Sequence, residues 1–182
     1  MKWMIASDLH GSAYWCEKLV EAFRREGADR LILLGDTLYH GPRNPLPEGH
    51  NPQRCVELLD ALRDKTIGVR GNCDAAIDQV LLPFPMMADY LLLDLGGKVA
   101  FVTHGDQWGE DNPPAMAKGG VLITGHTHHP MIGTPASPYC NTGSCVHPAS
   151  ITCIEIENRC LTLVKWSMQA RMDMSLYAKR EV

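Results

Sequence analysis

An α/β fold with two packed mixed β-sheets flanked by helices is the architecture this sequence predicts, and three observations point to it. Residues 1–70 alternate short apolar runs with amphipathic stretches in the order βαβαβ, which calls for parallel strands joined by crossovers. From residue 90 onward the apolar runs become short and strand-like, with turn residues between them. The length, 182 residues, suits one domain with a substantial core. The domain is placed at residues 1–166, leaving 167–182 as a C-terminal tail.

The first strand is the apolar run Trp3-Met4-Ile5. Beyond Gly11, Trp15, Leu19, Val20 and Phe23 recur at helical spacing with charged residues opposite, and Gly27 supplies the usual stop. Arg30-Leu31-Ile32-Leu33-Leu34 is continuously apolar, the pattern of a strand buried on both faces. Leu38 to Pro52 is too rich in Gly, Pro and Asn for a helix or central strand. A loop of that length inside a compact domain is expected to serve function, here by shaping substrate choice. A second helix carries Val56, Leu59 and Leu62 inward, a third strand runs Thr66 to Val69, and a short helix is expected over Ala75 to Leu82. Tyr90–Leu95 and Val99–Thr103 read as a hairpin about Gly96-Gly97, followed by a buried strand at Val121–Thr124. Ile151–Ile156 and Leu161–Val164 form a last pair, turning at Glu157-Asn158-Arg159. In the tail, Met168, Met172 and Leu176 share one helical face, which predicts a helix capping the domain or meeting a second copy in a homo-oligomer.

Composition narrows the function classes. A formal net charge of −4 provides no basic footprint for duplex nucleic acid. No apolar run is long enough to cross a bilayer, and Asp8 follows the N-terminus too soon for a secretion signal. Seven cysteines, at 16, 55, 73, 140, 145, 153 and 160, show no CxxC pair. An odd, scattered set predicts free thiols in a reducing cytoplasm; a Cys140–Cys145 bridge is the disfavoured alternative.

One pattern recurs: an apolar run ends, often beside a glycine, in residues able to bind metal. The instances are Asp8 and His10, Asp36, Asn72, His104, and His126 with His128. Side chains at i and i+2 of an extended strand point the same way, so Asp8 and His10, and likewise His126 and His128, are expected to project in pairs. If the strand ends share one edge, seven O and N donors converge, too many for one tetrahedral ion and suited to two with a bridging carboxylate. Taken singly, Asp36 also reads as a helix cap, Asn72 as a turn residue and His104 as a core histidine bonded to backbone.

In this order the motifs D-x-H, G-D, G-N, H and G-H-x-H resemble those of the calcineurin-like metallophosphoesterase superfamily. Ala6-Ser7-Asp8, Leu34-Gly35-Asp36, His40-Gly41-Pro42-Arg43-Asn44, Leu46-Pro47-Glu48-Gly49 and Arg70-Gly71-Asn72-Cys73-Asp74 resemble its YfcE-type branch of bacterial phosphodiesterases, over about residues 1–165. The resemblance implies a metal-dependent hydrolase acting on a small phosphodiester through a hydroxide between two divalent ions, Mn²⁺ first, with Fe, Zn and Ni as alternatives. Asp8, His10, Asp36 and His128 would hold one ion. Asp36 would bridge to a second held by Asn72, His104 and His126. Cys73 stands where many members carry a catalytic histidine, implying slower turnover and a preference for good leaving groups, and is read here mainly as a space-filling residue. Arg43 is expected to clamp a phosphate oxygen, unless it pairs with Glu48 or Asp106. Asn141-Thr142-Gly143-Ser144 is expected to be a structural turn beside the site. The rival reading is a catalytically weak interaction scaffold of the same fold. A mononuclear zinc hydrolase is less apt, since it leaves Asp36 and Asn72 without a purpose.

Overall fold

The computed structural model describes residues 1–133, 139–146, 151–158, 160–166, 171–173 and 179–181. Strands β1 (Trp3–Ala6), β2 (Arg30–Leu33) and β3 (Thr66–Gly68) pair in parallel, with Ile5 opposite Ile32 and Ile32 opposite Ile67. Helix α1 (Ala13–Arg25) connects the first two, and α2 (Pro52–Asp60) precedes the third. Strand alternation divides the apolar residues between two cores. Met4, Ala6, Leu31 and Leu33 pack against Trp15, Leu19, Phe23 and Leu59 of the helices, whereas Ile5, Ile32 and Leu34 face a second sheet. This is why β2 reads as an unbroken apolar run.

The second sheet is built from β4 (Tyr90–Asp94), β5 (Val99–Thr103), β6 (Val121–Thr124), β7 (Met131–Ile132) and β8 (Tyr139–Asn141). Its order is β4-β5-β6-β8-β7; β4 and β5 form the expected hairpin, while β5, β6 and β8 are parallel neighbours. Val102, Val121 and Ile123 meet Ile5 and Ile32 in the core between the sheets. The first sheet continues through β9 (Ile151–Glu157), antiparallel to β1, and β10 (Cys160–Trp166). Two packed mixed sheets with helices on the first sheet is the predicted class. The short helix after Ala75 is smaller than expected, one turn at α3 (Asp78–Leu81), and β7 and β8 are additions the sequence did not suggest.

The tail departs from expectation. Its described residues form strands β11 (Arg171–Asp173) and β12 (Lys179–Glu181), both antiparallel to β10, in place of a helix. Helical spacing of three apolar residues is a weak signal beside the open edge of β10, which supplies backbone partners to any nearby chain. Met168 and Leu176 lie outside the described residues.

The loop from Leu38 to Pro52 is stapled to the start of α1. Ala13 N–H donates to Gly49 O at 2.9 Å, Asn51 N–H to Gly11 O at 2.8 Å, and the hydroxyl of the N-cap Ser12 to Glu48 O. The loop is thereby held over the C-terminal ends of β1 and β2. Among the described residues no helix is long and apolar enough to cross a membrane, and Cys145 keeps its thiol, so the Cys140–Cys145 bridge is not formed.

Candidate metal centre

The parallel strands of the two sheets end at the same side of the sandwich, and the loops that follow them make the site. Backbone bonds carry each loop beyond its strand. Asp8 N–H donates to Gly35 O and His10 N–H to Asp36 O in the first sheet, and Gly125 N–H to His104 O in the second; Cys145 N–H to Ser7 O ties the sheets together. The convergence therefore comes from two sheet edges meeting, where a single shared edge was expected.

The pairing of side chains also has a different cause from strand alternation. β1 stops at Ala6 and β6 at Thr124, so none of Asp8, His10, His126 or His128 is in an extended strand. All four, and Asp36, have φ between 48° and 65°, and among the described residues Asn158 alone joins them as a non-glycine in that region. This left-handed conformation is uncommon outside glycine and gathers where surrounding structure over-determines it. It also sends the two histidines of G-H-x-H to different partners. His128 Nε2 lies 3.2 Å from Asp8 Oδ1 and 3.3 Å from His10 Nε2, whereas His126 Nδ1 lies 3.1 Å from His104 Nε2.

All seven predicted ligands come together. Asp8, His10, Asp36 and His104 are buried at the floor; Asn72 and His126 are exposed at the rim, with His128 between. Asp36 Oδ2 stands 3.8 Å from His10 Nε2 and 3.6 Å from His104 Nε2, between the two groups. Asn72 Oδ1 lies 3.0 Å from His104 Nε2. Asp8, His10 and His128 form one set of donors close enough to hold an ion, and Asp8, Asp36 and His104 another. Burial opposes charge on Asp8, but its bonds to His10 and His128 outweigh this and hold the carboxyl far below the usual carboxylate range.

The donors fit a cation on chemical grounds. His10 Nδ1 and His104 Nδ1 face the carbonyls of Tyr39 (2.9 Å) and Leu34 (2.6 Å), which accept, so both nitrogens must be donors. Nε2 of each ring then points into the site at carboxylate and amide oxygens that only accept. That arrangement demands a proton or a cation between them. The spacings resemble the edge of about 3.4 Å that donors at about 2.1 Å subtend on a tetrahedral ion.

Glycine is required where the loops touch. A Cβ on Gly71 would strike the Asp36 carboxylate, and one on Gly125 would strike Ser7 and come within 2.8 Å of Asp8 Oδ2. The glycines of G-N and G-H-x-H are therefore clearances for the carboxylates beside them.

A family model described as the calcineurin-like phosphoesterase superfamily domain matches residues 1–159. The chain belongs to the calcineurin-like phosphoesterase superfamily. Within it, phosphodiesterase YfcE of Escherichia coli K12 is 47% identical over 131 residues, covering 72% of this chain and 71% of that protein. The solved structure of YfcE, a phosphoesterase from E. coli, superposes with a TM-score of 0.89 over 100% of both chains at 38% identity. An archaeal phosphodiesterase superposes at 0.61 with 18% identity, covering 100% of this chain and 99% of that one, and shares the fold.

Two other expected residues border this cluster. Arg43 lines a cavity of about 300 Å³ together with His10, Asp36, Asn72, Cys73 and His126. It is exposed, and among the described residues it has no carboxylate partner, so the alternative pairing with Glu48 or Asp106 is not made. Cys73 donates its backbone N–H to Asp36 Oδ1 at 2.8 Å, and its thiol is the atom beside the Asn72 amide nitrogen at 3.3 Å. Burial and the neighbouring Asp36 and Asp74 carboxylates push that thiol up to about 12. The turn Asn141–Ser144 positions the site, as expected: Asn141 Nδ2 donates to Gly125 O at 2.7 Å, and Ser144 Oγ donates to Asp8 O at 3.0 Å.

Asp74 is the residue that sequence reasoning did not single out. Its Oδ2 accepts from Asp36 N–H and Gly71 N–H, each at 2.8 Å, and Oδ1 accepts from Thr37 N–H at 2.9 Å. It clips the loop after β2 to the loop after β3. The signal available was its place two residues after Asn72, where a carboxylate serves backbone amides more often than ions.

Proposed function

We propose that this chain is a metal-dependent phosphodiesterase that hydrolyses a small phosphodiester with two divalent cations. Asp8, His10, Asp36 and His128 would hold one, and Asp36, Asn72, His104 and His126 the other. The observation that carries this reading is the Asp36 carboxylate, buried between two histidine nitrogens that belong to different donor groups. When bound, the cations supply Lewis acidity, which activates water at neutral pH and neutralises charge on phosphoryl oxygens. The donors are O and N with no thiolate required, which suits Mn²⁺ first and Fe, Zn or Ni as substitutes. A full donor set favours catalysis over the scaffold reading. The free thiols favour a cytoplasmic setting.

The chain's own groups bind and orient. Arg43 reaches the cavity from the loop over the site, and its guanidinium would take two oxygens of the phosphoryl group in a fork. Arg43→Ala is expected to raise KM for a phosphodiester by about tenfold, with Arg43→Lys recovering only part. Unchanged kinetics in both variants would remove the clamp. Cys73 serves the site through its backbone N–H on Asp36 Oδ1, which serine would keep. Cys73→Ser should therefore leave kcat within about threefold, and a loss as deep as that of Asn72→Ala would make the thiol part of the chemistry.

The reading is tested by stripping the protein with a chelator, restoring single metals, and counting bound ions while assaying bis(p-nitrophenyl) phosphate against p-nitrophenyl phosphate. Two ions per chain with the diester preferred is the expected result. One ion per chain at full activity would leave Asp36 without its role.

A further inference from the structure

A second and larger cavity, about 600 Å³, adjoins the metal-site cavity, and Thr127 lines both. The loop 105–112 makes one wall; Thr127, His129, Met131 and Tyr139 make the other. The two spaces meet closely, since a Cβ on Gly105 would lie 3.3 Å from His126 Cβ. A phosphodiester carries two organic arms, and the smaller cavity is already lined by the groups that would hold the phosphoryl and its cations. One arm therefore needs room beyond it, and the adjoining cavity is where that room lies.

The cavity fixes the place, and its charge fixes the sign of selection. Asp106, Glu110 and Asp111 line it, and among the described residues no lysine or arginine does. A carboxylate wall disfavours a second anionic group brought alongside it. We propose that this cavity receives one organic arm of the diester and that Glu110 and Asp111 make it select arms bearing no negative charge. The inference rests on the phosphodiesterase reading and shifts substrate choice from the loop over 38–52 to the loop over 105–112.

The probes are p-nitrophenyl thymidine 5′-phosphate and the same ester carrying a 3′-phosphate, with their non-hydrolysable phosphonates for calorimetry on the metal-loaded protein. At low ionic strength the uncharged arm is expected to bind about tenfold more tightly, a difference that shrinks in about 0.5 M salt. The double variant Glu110→Gln with Asp111→Asn should cut the preference to about threefold or less by weakening binding discrimination, with the change in KM and not in kcat. Both positions are exposed, so the variant is expected to fold. Equal binding of the two phosphonates, or a preference untouched by the double variant, overturns the assignment. Binding with the expected preference but no hydrolysis of either phosphate ester supports the subsite and overturns the phosphodiesterase reading instead.

Discussion

Asp36→Asn is expected to lower kcat/KM on a phosphodiester by about 10³-fold. Loss of a partner that merely orients a ligand costs about 10–100-fold, and a ligand shared by two ions stands above that range. Asparagine preserves Oδ1, which accepts the Cys73 N–H, so the loop after β3 keeps its anchor. What it removes is the negative charge between His10 and His104. Bound metal should fall from about two ions per chain to about one. A variant that keeps two ions and activity within about tenfold of the parent would mean that the carboxylate does not bridge.

Asp74→Ala should cost about 10²-fold in activity although Asp74 is outside the set of expected ligands. Three backbone N–H groups lose a charged acceptor, and leaving them unmet costs about 3–5 kcal/mol, or about 10 °C in Tm for a chain of this size. The loops bearing Asp36 and Asn72 would then separate. Asp74→Asn, which retains a carbonyl acceptor, is expected to recover part of both losses. Competitive chelator titration well below Tm distinguishes positioning from mere support: weakened metal affinity in a folded Asp74→Ala protein is the expected outcome, and parental affinity would make Asp74 structural alone.

The sequence revealed more of the fold's interior than of its seams. Apolar runs at Met4–Ile5 and Leu31–Leu34 marked strands because both faces of the first sheet are covered, one by helices and one by the second sheet. Strands β7 and β8 escaped because each is held by its neighbours in the sheet and is too short to show a period. The residues that cluster here stand out by chemistry and order, yet strand alternation does not describe how they meet. Asp8 and His10 meet through left-handed turns past the end of β1, a conformation that no alternation rule describes. Asp74 stayed hidden because its partners Asp36 and Thr37 lie 38 and 37 residues away and are backbone groups, which any side chain would present. The tail's apolar spacing suggested a helix, but its described residues pair with β10 as strands.

The left-handed residues carry an evolutionary corollary. Five donors in that conformation, at about 1 kcal/mol each, together withhold about 5 kcal/mol from a domain whose whole margin is typically 5–15. Glycine at Asp8, His10, Asp36, His126 or His128 would relieve the tension and lose the ligand. A lineage released from chemistry would drift towards such replacements, gaining thermal resilience as it fell silent. Carrying all five side chains in that conformation is what the proposed metal centre would cost the fold.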